Sequence, residues 1–309
     1  MHLSKRETVK KSNELNTCFA ERIYMLNKKK KVLSAVIFVY FLCFIIRFLE
    51  YFILRTDETF WGEAFIHKLI GIVILILAVK YYNFKFAEIG FEQNKILHNL
   101  IGGFAFGLFV FIPAYLIEII AALMQDSYET LDLYVSAYSV NGTIGNQTGF
   151  LFFVICIIGN MINVLMEEGI FRGLFQKILE RKYSFVLSAV IASAYFGVWH
   201  IMAPARSYYD GTISYKGFVA NAIMLVVTSS LVGFKFALMT KLTNSLYMAM
   251  GHHFINNAIV NMLHVVSSTG ADEFMVVRIT IAQTVSFVIV LVWYIFAQRK
   301  RLFFIRSKT

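Results

Sequence analysis

Long apolar runs alternate with short polar breaks along almost the whole chain. Eight such runs stand out, at roughly 32–54, 64–82, 97–124, 150–176, 184–200, 218–239, 243–266 and 278–297. Each is close to the roughly 20 residues that a helix needs to cross a bilayer. Continuous apolarity of this length predicts helix, because backbone exposed to lipid must satisfy its own hydrogen bonds. The pattern therefore predicts an all-α polytopic membrane helix bundle with about eight transmembrane helices. It divides the chain into a tail at 1–31, a membrane domain at 32–297 and a second tail at 298–309.

Composition supports this reading. Hydrophobic residues make up 58% of the 309 and charged ones only 16%, too little polar sequence to cover a soluble surface. Cys18, Cys43 and Cys156 are too few and too scattered for a disulfide framework. The first 31 residues are too long and polar to be the n-region of a signal peptide. Two sequons, at Asn141 and Asn146, are better read as chance matches in a polar loop.

The net charge of +10 needs a location before it has a meaning. Residues 1–31 carry +6, residues 297–309 carry +5, and everything between carries −1. Basic tails at both ends of a membrane domain predict topology anchors and anionic-lipid contacts, not a nucleic-acid surface. Lys80, Lys85 and Lys95, then Lys177, Arg181 and Lys182, then Lys235 and Lys241 mark turns on the same side. The stretches 125–149 and 267–277 carry acid and no base up to residue 277. An even number of crossings with both termini cytoplasmic fits this alternation.

Ionisable residues within the spans are costly and so are candidates for function. They are Arg47, Glu50, Glu118, Glu167, Glu168, Arg172, His200, His252, His253 and His264. Asn160, Asn163, Asn221, Asn256, Asn257 and Asn261 add neutral polarity. Glu168 and Arg172 are spaced i,i+4 and can pair. Glu167 points about 100° away from Glu168, toward Asn160 and Asn163, and suits a general base. His253 and Asn257 project together, with Asn261 and His264 extending the stripe; His252 and Asn256 form the same pair on the next face. At about 1.5 Å per residue from the nearest basic anchors, Glu167, His200 and His253 lie roughly 21–22, 27 and 18 Å deep. Three helices thus predict one slab of chemistry, although interhelical hydrogen bonding is the plain structural reading of each residue taken alone.

Glu167-Glu168-x-x-x-Arg172, Phe196-x-x-x-His200 and His253-x-x-x-Asn257, in this order, resemble the three motifs of the CPBP family. That family includes the CAAX prenyl endopeptidases and the bacterial bacteriocin-processing and self-immunity proteases. The resemblance covers about residues 150–265. Ser245-Leu-Tyr ahead of His253 resembles the family's lead-in and favours His253/Asn257 over His252/Asn256. It implies an intramembrane endopeptidase acting on a membrane-associated peptide or protein, in peptide processing or self-immunity, or on prenylated substrates. It further implies Glu167 as the activator of water, with His200, His253 and Asn257 completing the site and Phe196, Glu168 and Arg172 supporting it. Two mechanisms stay open. Either Glu167, His200 and His253 hold a divalent metal such as Zn2+, or Glu167 acts as a metal-free base beside an oxyanion hole. A non-catalytic scaffold or sensor of the same fold is the competing reading.

Overall fold

The computed structural model describes residues 30–136 and 145–306. The tail up to residue 29, Cys18, the Asn141 sequon and residues 307–309 lie outside the described residues. Every apolar run is helical over most of its length. Helix α1 spans 30–49 and widens into a π turn at Glu50–Leu54. It is followed by α2 (Ile66–Tyr81), α3 (Ile96–Met124) and α4 (Phe150–Glu180), whose central stretch Glu168–Phe175 is also π-helical. Next come α5 (Phe185–Trp199), the short α6 (Met202–Tyr209), α7 (Tyr215–Thr243), α8 (Tyr247–Met262) and α9 (Met275–Arg306).

Six of these segments are long and apolar enough to cross a membrane, with α5 and α6 counted together as Phe185–Tyr209. Helices α2 and α8 have 16 residues each, at the short end for a bilayer crossing. The protein is therefore a multi-pass helical membrane protein. The 243–266 run departs from expectation. Its helix stops at Met262, and Leu263–Ser267 forms strand β2, which pairs antiparallel with β1 at Tyr128–Leu133. Apolarity alone could not distinguish the end of that helix from a buried strand.

The two ends of the bundle differ in charge. At one end the basic turns converge: Arg181 Nη2 donates to the Tyr82 carbonyl at 2.7 Å, and Leu246 N donates to Gly90 O at 3.0 Å. Val32 and Leu33 at the start of α1 pack against the same core cluster as Tyr82 and Tyr183, and Tyr294 in the second half of α9 meets Phe185 at a tilt. The β1–β2 pair joins Tyr128–Leu133 to Leu263–Ser267 at the other end. Lys235, expected beside a turn, instead lies inside α7, which continues to Thr243, and is fully buried.

Helix α8 owes its position to glycine. A Cβ on Gly103 of α3 would come within 2.3 Å of the Met248 carbonyl, and one on Gly251 within 2.5 Å of the Leu100 carbonyl. Glycine at these positions, and at Gly107 against Ile255, lets α3 and α8 approach this closely. Beyond α8, His264 sits on β2 rather than on the helical stripe. Its ring stacks on Tyr134 at 3.9 Å and its Nδ1 lies 3.0 Å from Asp272. Arg278 Nη2 donates to Asp272 at 2.6 Å, and Arg278 also pairs with the buried Glu118.

Burial alone would raise the Asp272 carboxyl, but hydrogen bonds from His264 and Arg278 outweigh it and hold the group below its ordinary value. A carboxylate with a depressed folded-state value stabilises the fold above its unfolded value, about 3.9, and loses that contribution as pH falls through the folded value. The thermal midpoint in detergent should therefore drop as the pH is taken below about 4. Asp272→Asn should flatten that part of the profile and lower the midpoint at neutral pH.

Candidate active site

Three helices deliver the site. The π segment of α4 adds a residue to the turn after Glu167, a feature often found at functional positions. It leaves two adjacent carboxylates facing one imidazole. His253 Nδ1 lies 2.8 Å from Glu168 Oε1, and its Nε2 lies 3.7 Å from Glu167 Oε2. An ionised carboxylate only accepts, so Nδ1 carries the proton. In the neutral ring that this bond selects, Nε2 is bare and faces Glu167. The two glutamates meet different nitrogens of the same ring.

Glu168 is fully buried and also stands 3.3 Å from Arg172 Nη1. The Arg172 guanidinium lies over the Phe196 ring, 3.8 Å from its centroid, and its Nε donates to Gly233 O at 3.4 Å. Phe196 thus caps the Glu168–Arg172 pair and also touches His253 and His200 edge-on. Glu167 accepts from Trp199 Nε1 at 3.0 Å and from Asn163 Nδ2 at 3.3 Å. Asn160 does not join them. Its amide donates back to the Cys156 carbonyl at 3.0 Å.

His200 stands at the C-terminal end of α5, where Nδ1 lies 2.8 Å from the Phe196 carbonyl. A carbonyl can only accept, so this proton too sits on Nδ1. A cavity of about 490 Å³ runs past these groups. Its floor holds His200, His253, Asn256, Asn257, Lys235 and Gln283, and its walls are mostly apolar residues of α7 and α9. Met224, Leu231 and Val276 on those walls are exposed apolar side chains, so the cavity opens sideways between α7 and α9. This suits the entry of an apolar chain from the bilayer.

The second candidate pair separates from the first. His252 is fully buried between the rings of Phe106 and Phe236, and its Nε2 lies 3.2 Å from Lys235 Nζ. Lysine only donates, so that nitrogen is an occupied acceptor. Asn256 lies on the cavity floor with its amide donating to Asn257 Oδ1 at 3.1 Å. His253 and Asn257, in contrast, both reach the cavity. His264 and Asn261 do not line it.

Among the described residues, no group of three or more His, Cys, Asp and Glu side chains is gathered so as to hold a metal ion. Glu167, His200 and His253 are not gathered into such a group.

Trp199 is a residue whose role the sequence did not expose. It fixes Glu167, and the guanidinium of Arg47 lies 4.4 Å from its ring centroid. Its position next to His200 was the available signal.

Fold and site together define a polytopic membrane protein with a buried carboxylate–imidazole–amide centre beside a lateral cavity. Residues 149–259 match the family of type II CAAX prenyl endopeptidases described as Rce1-like, which supports the resemblance to the CPBP/CAAX proteases. The match runs from the start of α4 into α8 and includes all three motifs. No curated protein matches the chain.

Removing Glu168 should test the architecture of the site separately from its chemistry. Glu168→Ala strands Arg172 and releases His253, and breaking such a buried pair costs about 3–5 kcal/mol. Its melting temperature in micelles should fall well below that of Glu167→Ala, which leaves the Arg172 pair intact.

Proposed function

We propose that the protein is an intramembrane endopeptidase in which Glu167 activates the attacking water without a metal. The observation that carries this reading is the pair of acceptors facing each other at 3.7 Å, His253 Nε2 and Glu167 Oε2. The gap is too long for a direct hydrogen bond and suits a bridging water that donates one proton to each. Such a water directs its lone pairs toward the cavity. Attack on a peptide carbonyl there sends one water proton to Glu167 and charge to the carbonyl oxygen. The Asn257 amide group stabilises that oxyanion. His200 Nε2 accepts the N–H of the substrate backbone and holds the carbonyl in line. As the tetrahedral adduct collapses, the proton on Glu167 passes to the leaving nitrogen.

The substrate of this reading is a membrane-associated peptide or protein whose apolar part enters between α7 and α9. Processing of a small peptide or a self-immunity role, in a cell membrane with both termini cytoplasmic, is the biological setting proposed. Two observations support the orientation. The basic turns converge at one end of the bundle, and the start of α1 and the far part of α9 lie at that same end. The basic tails would then meet anionic lipid on the cytoplasmic face.

Purified protein in liposomes should cleave fluorescence-quenched peptides, with one set prenylated near the C-terminus and one set unmodified. Glu167→Gln should lower kcat at least about 100-fold, and Asn257→Ala about 100- to 1,000-fold. Undiminished cleavage by Glu167→Gln would contradict the role of Glu167. A cellular phenotype that survives Glu167→Gln would favour a binding scaffold instead.

A further inference from the structure

Lys235 lies inside the membrane domain, fully buried, and among the described residues no carboxylate is within ion-pair distance of it. Its ammonium lies 2.7 Å from Gln283 Oε1, 2.9 Å from Ser286 Oγ and 3.2 Å from His252 Nε2. The three protons of the ammonium therefore have three acceptors. An ammonium cannot accept, so whatever faces it must present a lone pair.

That constraint passes along the cavity floor. Gln283 must turn Oε1 to Lys235, which leaves its Nε2 as the donor to Asn256 Oδ1. Asn256 must then use Nδ2 as its donor to Asn257 Oδ1, at 3.1 Å. With Oδ1 turned to Asn256, the Asn257 amide directs its Nδ2 protons the other way, beside the cavity. An unconstrained asparagine could present either end, since the two ends of an amide have the same shape.

We propose that Lys235, Gln283 and Asn256 form a directional amide relay that fixes which end of Asn257 faces the substrate, making Lys235 and Gln283 positioning residues for oxyanion stabilisation. This rests on the role of Asn257 proposed above. It explains why a lysine without a carboxylate is kept in an apolar bundle: a glutamine or serine in its place could donate or accept, and the polarity of the chain would be undetermined. It also gives His252 and Asn256 a place in the site, one as a fixed acceptor for Lys235 and the other as a link.

The discriminating substitution is Gln283→Glu, which has nearly the same shape and gives Lys235 a buried carboxylate partner. An ionised glutamate accepts at both oxygens, so Asn256 must turn Nδ2 toward it and Oδ1 toward Asn257. Asn257 then donates inward and presents its oxygen to the cavity. The expected result is a protein with an unchanged or raised melting temperature, a kcat lowered about 100-fold or more and a KM that changes little. Gln283→Met interrupts the relay without reversing it and should lose less kcat, although methionine is the less conservative replacement. A purely structural role for Gln283 predicts the opposite order.

Wild-type kcat in Gln283→Glu, or a greater loss in Gln283→Met, would overturn the relay. Asn257→Ala, assayed with the same quenched peptides, separates the two readings. If that variant keeps full activity, the oxyanion role itself fails. If it loses activity while Gln283→Glu does not, only the relay fails.

Discussion

A carboxylate buried in a helical bundle must be neutralised or the fold suffers, and at Glu168 this requirement shapes the surrounding site. The Arg172 guanidinium supplies the countercharge one turn along the same helix. Phe196 covers that pair from α5, and His253 reaches it from α8. A single buried anion thus ties together the three helices that bear the three motifs. Because it accepts from Nδ1 of His253, it also decides which nitrogen of that ring is left for chemistry. Glu167, one residue earlier and held by Trp199 and Asn163, faces that nitrogen.

The site combines two kinds of polar group with different physical demands. The ion pair of Glu168 and Arg172 lies behind the reactive face, and Glu167 stands on that face. The polar groups bordering the cavity are imidazoles, amides and hydroxyls, together with Lys235, whose ammonium is hydrogen-bonded at its side. A mostly apolar cavity with a few fixed donors and acceptors can admit an apolar chain while still orienting a peptide bond. The opening between α7 and α9 places that cavity where a membrane-bound substrate would arrive.

Much of this was legible in the sequence, and the reasons are physical. Apolar run length identified the helices because lipid leaves the backbone no other solution. The scarcity of ionisable residues in those runs made Glu167, Glu168, Arg172, His200 and His253 stand out. Other features depended on contacts that periodicity does not encode. The expectation that Glu168 pairs with Arg172 followed from i,i+4 spacing, but its bond to His253 joins α4 to α8 and has no local signature. The end of α8 at Met262 was hidden because a short apolar strand and an apolar helical turn read alike. Lys235 was read as an anchor because Lys241 follows closely, yet the apolar residues Phe236–Met239 between them were the sign of an intramembrane lysine. Gln283 and Ser286, three apart on α9, have no local signature that ties them to that lysine; only the fold brings them to it.

The central claim is that Glu168 holds the Nδ1 proton of His253 and leaves Nε2 free to face Glu167. Nitrogen-15 NMR of protein labelled at histidine reads this directly, because protonated and bare ring nitrogens differ widely in chemical shift. The His253 signals can be assigned by their loss in His253→Gln. The account predicts a protonated Nδ1 and a bare Nε2 for His253 at neutral pH. A proton on Nε2 with a bare Nδ1 would contradict it.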